Sequence, residues 1–227
     1  MNALSTPPLP IHGTVYGVLL NSHAEWQVAE PLMAQAPYKA PPRAPVLYIK
    51  TANTWSANDT RIPIPSGVRE VEIGATLAAV MAGDHVRGFV LLNDVSLPHS
   101  VDAQGFYRPP VKSKCVDGFL GIGPMLLPAA DLPAPNAHTI EVHINGARQQ
   151  TVDLAQMRRD LSTLVHDVNA FMTLQAADVL MLGLDVCRDG PHAGLRPRVR
   201  AGDVVEIHMP EVPGLGVLRH TFVQEAA

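Results

Sequence analysis

Proline is spread along almost the whole chain, and this restricts the possible fold more than any other feature of the sequence. The 227 residues include 21 prolines, which cluster around 7–10, 31–45, 63–65, 109–110, 124–135 and 191–213. Proline lacks a backbone N–H and clashes with the preceding helical turn, so it interrupts helices and central strands alike. Apart from the proline-free stretches 66–97 and 136–190, the clusters divide the chain into short segments. The sequence therefore predicts a β-rich chain with irregular connections and few helices.

Short apolar or alternating segments predict the strands of this chain. They cover 14–20, 44–50, 70–82, 86–92, 139–146, 178–183, 203–209 and 217–223. The Asn145-Gly146 pair is a strong signal for a tight hairpin. Helical character is expected from His23 to Met33, and the spacing of apolar residues predicts a helix from Asp153 to Phe171, capped by Asp153. Together these elements favour an α+β fold with a mixed sheet and few helices.

Composition and charge exclude several classes of protein. The content of 47% hydrophobic and 17% charged residues is typical of a globular chain, and a net charge of −4 without a basic stripe argues against a nucleic-acid partner. Two cysteines outside any Cys-x-x-Cys motif favour a reducing, cytoplasmic location. The first ten residues lack a secretory signal pattern, and no segment reaches the roughly 20 apolar residues of a membrane span.

Other motifs that would carry chemistry are weak. The histidine pairs His138/His143 and His208/His220 do not have the spacing of zinc ligands, so a zinc site is not predicted. The glycines between 118 and 123 lack a nucleotide-binding pattern, and Gly-x-Ser-x-Gly does not occur. The basic segment 191–201 is expected to be a surface loop.

An apolar segment that ends in an Asn-Asp pair opens the most specific motif of the chain. The segment is Phe89-Val90-Leu91-Leu92-Asn93-Asp94-Val95-Ser96, followed by Phe106-Tyr107-Arg108-Pro109 and by Lys112-x-Lys114-Cys115-x-Asp117-Gly118. Upstream lie Pro37-Tyr38-Lys39-Ala40-Pro41-Pro42 and Ile49-Lys50-x-x-Asn53-Thr54. This order resembles the fumarylacetoacetate hydrolase family, and within it the branch of homoprotocatechuate (4-hydroxyphenylacetate) breakdown. The resemblance implies a flexible N-terminus over 1–13 and a single domain of that family over 14–227, with 14–50 forming a strand and a lid-like segment.

The resemblance also implies a divalent ion, Mg²⁺ or Mn²⁺, held by a Glu-x-Glu pair and by the Asp of the Asn-Asp motif. Asp94 matches that third ligand. The Glu-x-Glu positions fall on Gly74 and Thr76, which supply no carboxylate. Glu70 and Glu72 form a Glu-x-Glu four residues upstream, which is about 13 Å along an extended strand and therefore out of register for the same ion.

The remaining site residues are also implied by the resemblance. Lys114 matches the family lysine that faces an oxyanion or carboxylate. Tyr107 and Arg108, with Thr76, are candidates for binding the substrate, since arginine suits bidentate recognition of a carboxylate. On the lid-like segment Glu25 takes the position of the family's histidine, and His23 lies two residues earlier; either is a candidate acid or base.

Three functions follow as alternatives. The first is a subunit of an aromatic-catabolic decarboxylase/isomerase that acts on 2-oxo and 2-hydroxy dienedioates, namely decarboxylation of 5-oxopent-3-ene-1,2,5-tricarboxylate and isomerisation of 2-hydroxyhepta-2,4-dienedioate. The second is a catalytically silent partner of a homologous chain that keeps the metal ligands. The expected assembly is a homodimer or a hetero-oligomer with a homologous subunit. A metal-free isomerase that works through His23 or Glu25 is a third possibility.

Overall fold

The computed structural model describes residues 9–36, 39–98, 110–190 and 192–225, and most of its regular structure is β-sheet. The strands are β1 (Val15–Leu19), β2 (Val46–Lys50), β3 (Trp55–Ser56), β4 (Thr60–Ile64), β5 (Val71–Glu72), β6 (Ala75–Met81), β7 (Val86–Asp94), β8 (Leu120–Ile122), β9 (Leu127–Pro128), β10 (Thr139–Ile144), β11 (Ala147–Asp153), β12 (Val179–Met181), β13 (Arg198–Val199), β14 (Val204–His208) and β15 (Leu218–Gln224). The α-helices are α1 (His23–Met33), α2 (Pro110–Lys114) and α3 (Leu161–Asn169). No helix of the described residues is long and apolar enough to span a membrane.

Within this part of the chain the strands form two larger sheets and one small one. The first sheet has the order β2-β1-β12-β6-β7-β8-β3, with β9 beside β7. The second has the order β11-β10-β14-β15-β4, and β13 pairs with β5 alone. Parallel pairs, such as β1 with β12 and β15 with β4, occur beside antiparallel ones. The predicted α+β class with mixed sheet and few helices is therefore confirmed.

An apolar core lies between the two larger sheets. Leu77, Ala79 and Leu91 from the first sheet and Val142 and Ile207 from the second belong to one buried cluster. The opposite face of β6 and β7 forms a second cluster with residues such as Ala78, Val90 and Leu92. Both faces of these two strands are thus covered, which explains their continuous apolar sequences.

The segment 70–82, predicted as one strand, is divided at Ile73 and Gly74. Val71–Glu72 leaves the main sheet to pair with Arg198–Val199, and the Ile73 amide donates to the Pro197 carbonyl at 2.8 Å. The strand then resumes at Ala75 beside β7. The break arises from pairing with a distant segment, which local alternation does not encode.

The helix predicted from Asp153 to Phe171 is shorter than expected. Residues Leu154–Gln156 form a single 3₁₀ turn, and the α-helix begins only after Asp160, whose side chain accepts from the Thr163 amide. Between the two, Asn21 accepts hydrogen bonds from the amides of Arg158 and Arg159 at 2.6 and 3.0 Å. These bonds to a distant residue occupy donors at the point where the helix was expected to continue.

Two further predictions have clear outcomes. Asn145 and Gly146, both with positive φ, form the hairpin turn between β10 and β11 as expected. The predicted flexible N-terminus does not extend to Ile11, which is 1% exposed and packs in the second apolar cluster. Residues 1–8 lie outside the described part of the chain.

Candidate active site

Asp94, the last residue of β7, is the centre of a buried group of charges. Its side chain is fully buried, and its amide donates to the Gly74 carbonyl at the start of the neighbouring strand. Lys50 Nζ lies 2.9 Å from Oδ1, Lys114 Nζ lies 2.5 Å from Oδ2, and the Tyr48 hydroxyl donates to Oδ2. Two ammonium groups and a phenol therefore surround this carboxylate.

Lys50 supports the group from β2. Its side chain is completely buried, and its Nζ donates to the carbonyl of Lys114, to that of Phe119 at 2.8 Å and to that of Val95 at 3.4 Å. A buried ammonium is tolerated only when its donors are paired and a counter-charge is near. Lys50 thus has a structural task, which is to hold Asp94 and the start of the Lys114 segment together.

Tyr48 lies against the same carboxylate. Burial raises the pKa of its phenol well above the usual range, and the charge of Asp94 raises it further. Lys114 Nζ lies 4.7 Å from the centre of its ring. The ring crosses Gly17 on the neighbouring strand, where an added Cβ would lie 2.0 Å from a ring carbon. Glycine at position 17 is required by this close approach.

The buried charges change the proton affinity of Asp94 and Lys114 in different ways. Burial alone would raise the pKa of Asp94, but the adjacent Lys114 and Lys50 ammonium groups hold it well below its usual range. Burial lowers the pKa of Lys114 to about 8, although Asp94 opposes that shift. The carboxylate form of Asp94 is therefore favoured, whereas the Lys114 ammonium loses its proton more readily than that of an exposed lysine.

Glu25 reaches the same region from the first turn of α1. Ser22 caps this helix and also donates to the buried Asp185, which fixes the helix start. Glu25 Oε2 accepts from the Leu20 amide at 2.7 Å, and Oε1 accepts from Arg196 at 2.8 Å. Burial raises the pKa of this carboxyl, while Arg196 and, at longer range, Lys114 oppose the shift. Glu25 is thus a buried carboxyl held beside two cations.

Arg196 connects this group to an open cavity. In the segment predicted as a surface loop (191–201), most of the described residues are exposed, but Arg196 turns inward and contacts Glu25 and, at 3.9 Å, Glu72. These two carboxylates raise its pKa despite its burial. The cavity that Arg196 lines has a volume of about 320 Å³ and also contains Arg198, Arg200 and Glu70. Its size suits a small organic acid.

The structure places only some of the predicted site residues close together. Asp94, Lys114 and Glu25 lie in one charged group. His23 is exposed on the same helix, and Thr76 is buried with its hydroxyl donating to the Leu77 carbonyl at 3.1 Å. Tyr107 and Arg108 lie outside the described residues.

Glu70 and Glu72 are engaged by arginines. Arg198 contacts Glu70 at 2.7 Å and Glu72 at 3.3 Å, and Arg200 contacts Glu70 at 3.6 Å. Glu72 lies opposite Ser96, two residues beyond the position opposite Asp94, which Gly74 occupies. Glu72 therefore does not lie opposite Asp94 in the structure.

The divalent ion implied by the resemblance does not fit the donors around Asp94. Gly74 and Thr76 provide no carboxylate on the adjacent strand, and both Asp94 oxygens face ammonium groups. In the described ranges Asp94 belongs to no group of three carboxylate, imidazole or thiolate ligands within 4.8 Å of one another. Hard cations such as Mg²⁺ need several oxygen ligands. At this position positive side chains balance the carboxylate charge.

Sequence reasoning did not single out Tyr48, Lys50 and Arg196 as site residues. Lys50 occurs in a motif that carried the family resemblance, and Tyr48 lies two residues before it on the same face of β2, so period-two alternation could have found both. Arg196 gave no local signal, because its role depends on contacts with Glu25 and Glu72 that are distant in sequence.

Comparison with known protein sequences identifies the family of this chain. The model of the fumarylacetoacetate (FAA) hydrolase C-terminal family matches residues 14–223. The 4-hydroxyphenylacetate degradation bifunctional isomerase/decarboxylase of Escherichia coli is 33% identical over 211 residues, covering 88% of this chain and 47% of the relative. The oxaloacetate tautomerase of Caenorhabditis elegans mitochondria is 28% identical over 182 residues, covering 75% of this chain and 81% of the relative.

Solved structures agree at the level of the fold. The 2-hydroxyhepta-2,4-diene-1,7-dioate isomerase of Mycobacterium marinum superimposes with a TM-score of 0.72 at 22% identity, covering 96% of this chain and 78% of that chain. The present chain spans about half the length of the bifunctional relative. With a family match over nearly its whole length, the chain belongs to the fumarylacetoacetate hydrolase family.

Proposed function

We propose that this chain is a subunit of an aromatic-catabolic isomerase/decarboxylase, and that its own site isomerises a 2-hydroxy dienedioate such as 2-hydroxyhepta-2,4-dienedioate without a metal at Asp94. The observation that carries the proposal is the contact of the buried Glu25 with Arg196, with Lys114 at longer range. Proton transfer on an acidic enol uses one group that gives and takes the proton and cations that balance the negative charge. Glu25, whose pKa is raised, suits the first task, and Lys114 and Arg196 suit the second. The names of the relatives in aromatic catabolism support the choice of substrate.

The charge around Arg196 supports binding of a dicarboxylate. Three arginines, Arg196, Arg198 and Arg200, line the cavity, together with Glu70 and Asp203. The guanidinium group suits bidentate pairing with a carboxylate. Arg196 lines the cavity and also contacts Glu25, so it would hold one substrate carboxylate at the side of the cavity nearest Glu25. Tyr107 and Arg108 remain proposed contacts for the far carboxylate.

The reaction needs only the movement of a proton. The 2-hydroxyl loses its proton, a carbon of the diene gains one, and the product is a 2-oxo acid with one carbon–carbon double bond fewer in conjugation. Glu25 would carry the proton as general base and acid. The Lys114 ammonium would stabilise the negative charge on the 2-oxygen as it develops. Asp94 and Lys50 would position Lys114 without touching the substrate.

A chelator-treated preparation tests this proposal directly. Isomerisation of 2-hydroxyhepta-2,4-dienedioate by the purified chain is followed by its ultraviolet absorbance after exhaustive chelation. We expect the wild type to stay active and Glu25→Gln to lose about 10²–10⁴-fold in kcat, since that is the usual contribution of a general acid or base. His23→Asn is the matched control, because His23 is exposed on the same helix.

Two results would contradict the proposal. Activity that disappears on chelation and returns with Mn²⁺ would require a metal in the reaction. Full activity in Glu25→Gln would remove Glu25 from proton transfer.

The second candidate is a catalytically silent partner subunit. The observation that favours it is the replacement of the Glu-x-Glu positions by Gly74 and Thr76. In that case the chain alone would be inactive with and without Mn²⁺. It would raise the activity of a homologous chain that carries Glu-x-Glu, and the two would elute together on size exclusion.

A further inference from the structure

The second sheet carries three potential metal ligands far in sequence from Asp94. Glu141 and His143 lie two residues apart on β10, so both side chains point to one face. His208 on β14 is directly opposite Glu141 in the antiparallel register. The alternate residues Val142 and Ile207 lie in the core. All three polar side chains are therefore on the outer, half-buried face of the sheet.

Their donor atoms converge on one point. His143 Nε2 lies 2.8 Å and His208 Nε2 lies 3.8 Å from the same oxygen, Oε2 of Glu141. The two imidazole rings have centroids 5.2 Å apart, and one ligand atom from each residue lies within 4.8 Å of the others. Ligands of a tetrahedral ion with bonds of about 2.0–2.1 Å are about 3.3 Å apart. Small side-chain rotations are enough to reach that geometry.

From this convergence we propose that Glu141, His143 and His208 bind a divalent first-row transition ion, with Zn²⁺ as the probe. Two imidazoles and one carboxylate are donors that Zn²⁺ accepts and that Mg²⁺ disfavours. Three protein ligands leave a coordination position for water. The site joins β10 to β14, and it is separate from the Asp94 group on the other sheet.

Neighbouring charges are compatible with a bound cation. Arg148 contacts the other oxygen of Glu141, Oε1, at 2.9 Å, which leaves Oε2 directed at the two histidines. Its side chain is 60% exposed, so solvent screens its positive charge. Glu206 lies opposite His143 and pairs with Arg219 at 3.5 Å. The hydrogen bond from Arg148 would orient the Glu141 carboxylate, as partners of metal-ligating carboxylates commonly do.

Zn²⁺ titration by calorimetry, with Co²⁺ absorbance as a second readout, tests the site on the intact chain. We expect one Zn²⁺ per chain and Co²⁺ bands without sulfur charge transfer. His143→Ala and His208→Ala should weaken Zn²⁺ binding by more than about 100-fold, beyond the effect of losing a merely supporting contact. Mn²⁺ should bind more weakly than Zn²⁺.

Two control variants distinguish the loss of a Zn²⁺ ligand from the loss of another histidine or thiol. His138→Ala removes a histidine that faces Glu211 near the start of the same strand, and it should bind Zn²⁺ like the wild type. Cys187→Ser removes a free thiol and should also have no effect. Circular dichroism verifies that each variant is folded. Absence of saturable Zn²⁺ binding, unchanged binding in His208→Ala, or binding lost in Cys187→Ser would each overturn the proposal.

Discussion

At the scale of single residues, the contrast between Asp94 and Lys114 is the main feature of this chain. Both are buried and lie 2.5 Å apart, yet the pKa of the carboxyl falls well below its usual range while that of the amine falls to about 8. Burial disfavours the charged form of both groups. At Asp94 the two cationic neighbours overcome this effect, whereas at Lys114 the charge of Asp94 does not, because Arg196 and Lys50 act in the same direction as burial. The carboxylate form of Asp94 is therefore favoured, while Lys114 loses its proton more readily than an exposed lysine.

The pKa of Lys114 predicts the alkaline limit of activity. Because the proposed reaction needs the ammonium form, kcat/KM should fall as pH rises through about 8. In Lys114→Arg the cation persists to much higher pH, so the alkaline limb should move upward even if the rate is lower. The measurement is kcat/KM between about pH 5 and 10. An alkaline limb at the same pH in Lys114→Arg would show that another group controls it.

At the scale of elements, the start of α3 illustrates what local sequence predicts and what it does not. Apolar spacing correctly predicted a helix here, but Asp153 was expected as its cap, and Asp160 has that place. Both residues are suitable caps by type. The choice between them depends on Asn21, which binds the Arg158 and Arg159 amides from a distant part of the chain.

Removal of the cap tests this assignment. Asp160→Ala should lower the free energy of unfolding by about 1 kcal/mol, since the Thr163 amide loses its partner. Asp153→Ala, the matched control, removes only the cap of a short 3₁₀ turn and should cost less. Urea denaturation measures both. Equal losses in the two variants would contradict the assignment of Asp160 as the helix cap.

The whole site likewise combines features that local sequence predicts with features that depend on contacts between distant segments. Motif residues such as Asp94 and Lys114 were predictable because the pattern is local, and most strands followed from apolar alternation. The break at Gly74, the burial of Arg196 and the meeting of His143 with His208 depend on pairing between distant segments. Period-two alternation places Glu141 and His143 on one face, but only the register with β14 adds the third residue.

At the scale of the molecule, His220 links the two larger sheets. It lies on β15 of the second sheet, and its ring packs against Gly121 of β8, where an added Cβ would lie 2.5 Å from Cε1. Its Nε2–H donates to the Ala57 carbonyl at 2.9 Å. Burial lowers the pKa of this imidazole from 6.5 to about 4. The junction between the sheets is therefore built around a neutral histidine.

This junction predicts a loss of stability in acid. Between about pH 6.5 and 4 the unfolded chain takes up a proton at His220 while the folded chain does not, so stability falls as pH falls. The full effect is about 3 kcal/mol, at about 1.4 kcal/mol per pKa unit. Urea midpoints at pH 7 and near pH 4 measure it. His220→Gln should show a smaller decrease than the wild type, and an equal decrease would assign the effect to other groups.

Gly74 also limits how this site can be altered by a single substitution. A Cβ at that position would lie 2.5 Å from the Asp94 carbonyl oxygen and 3.0 Å from a Leu184 methyl, and overpacking of this kind costs about 1–3 kcal/mol. A glutamate at position 74 therefore needs compensating changes in its surroundings, so engineering of a metal site beside Asp94 must begin with the residues packed against Gly74.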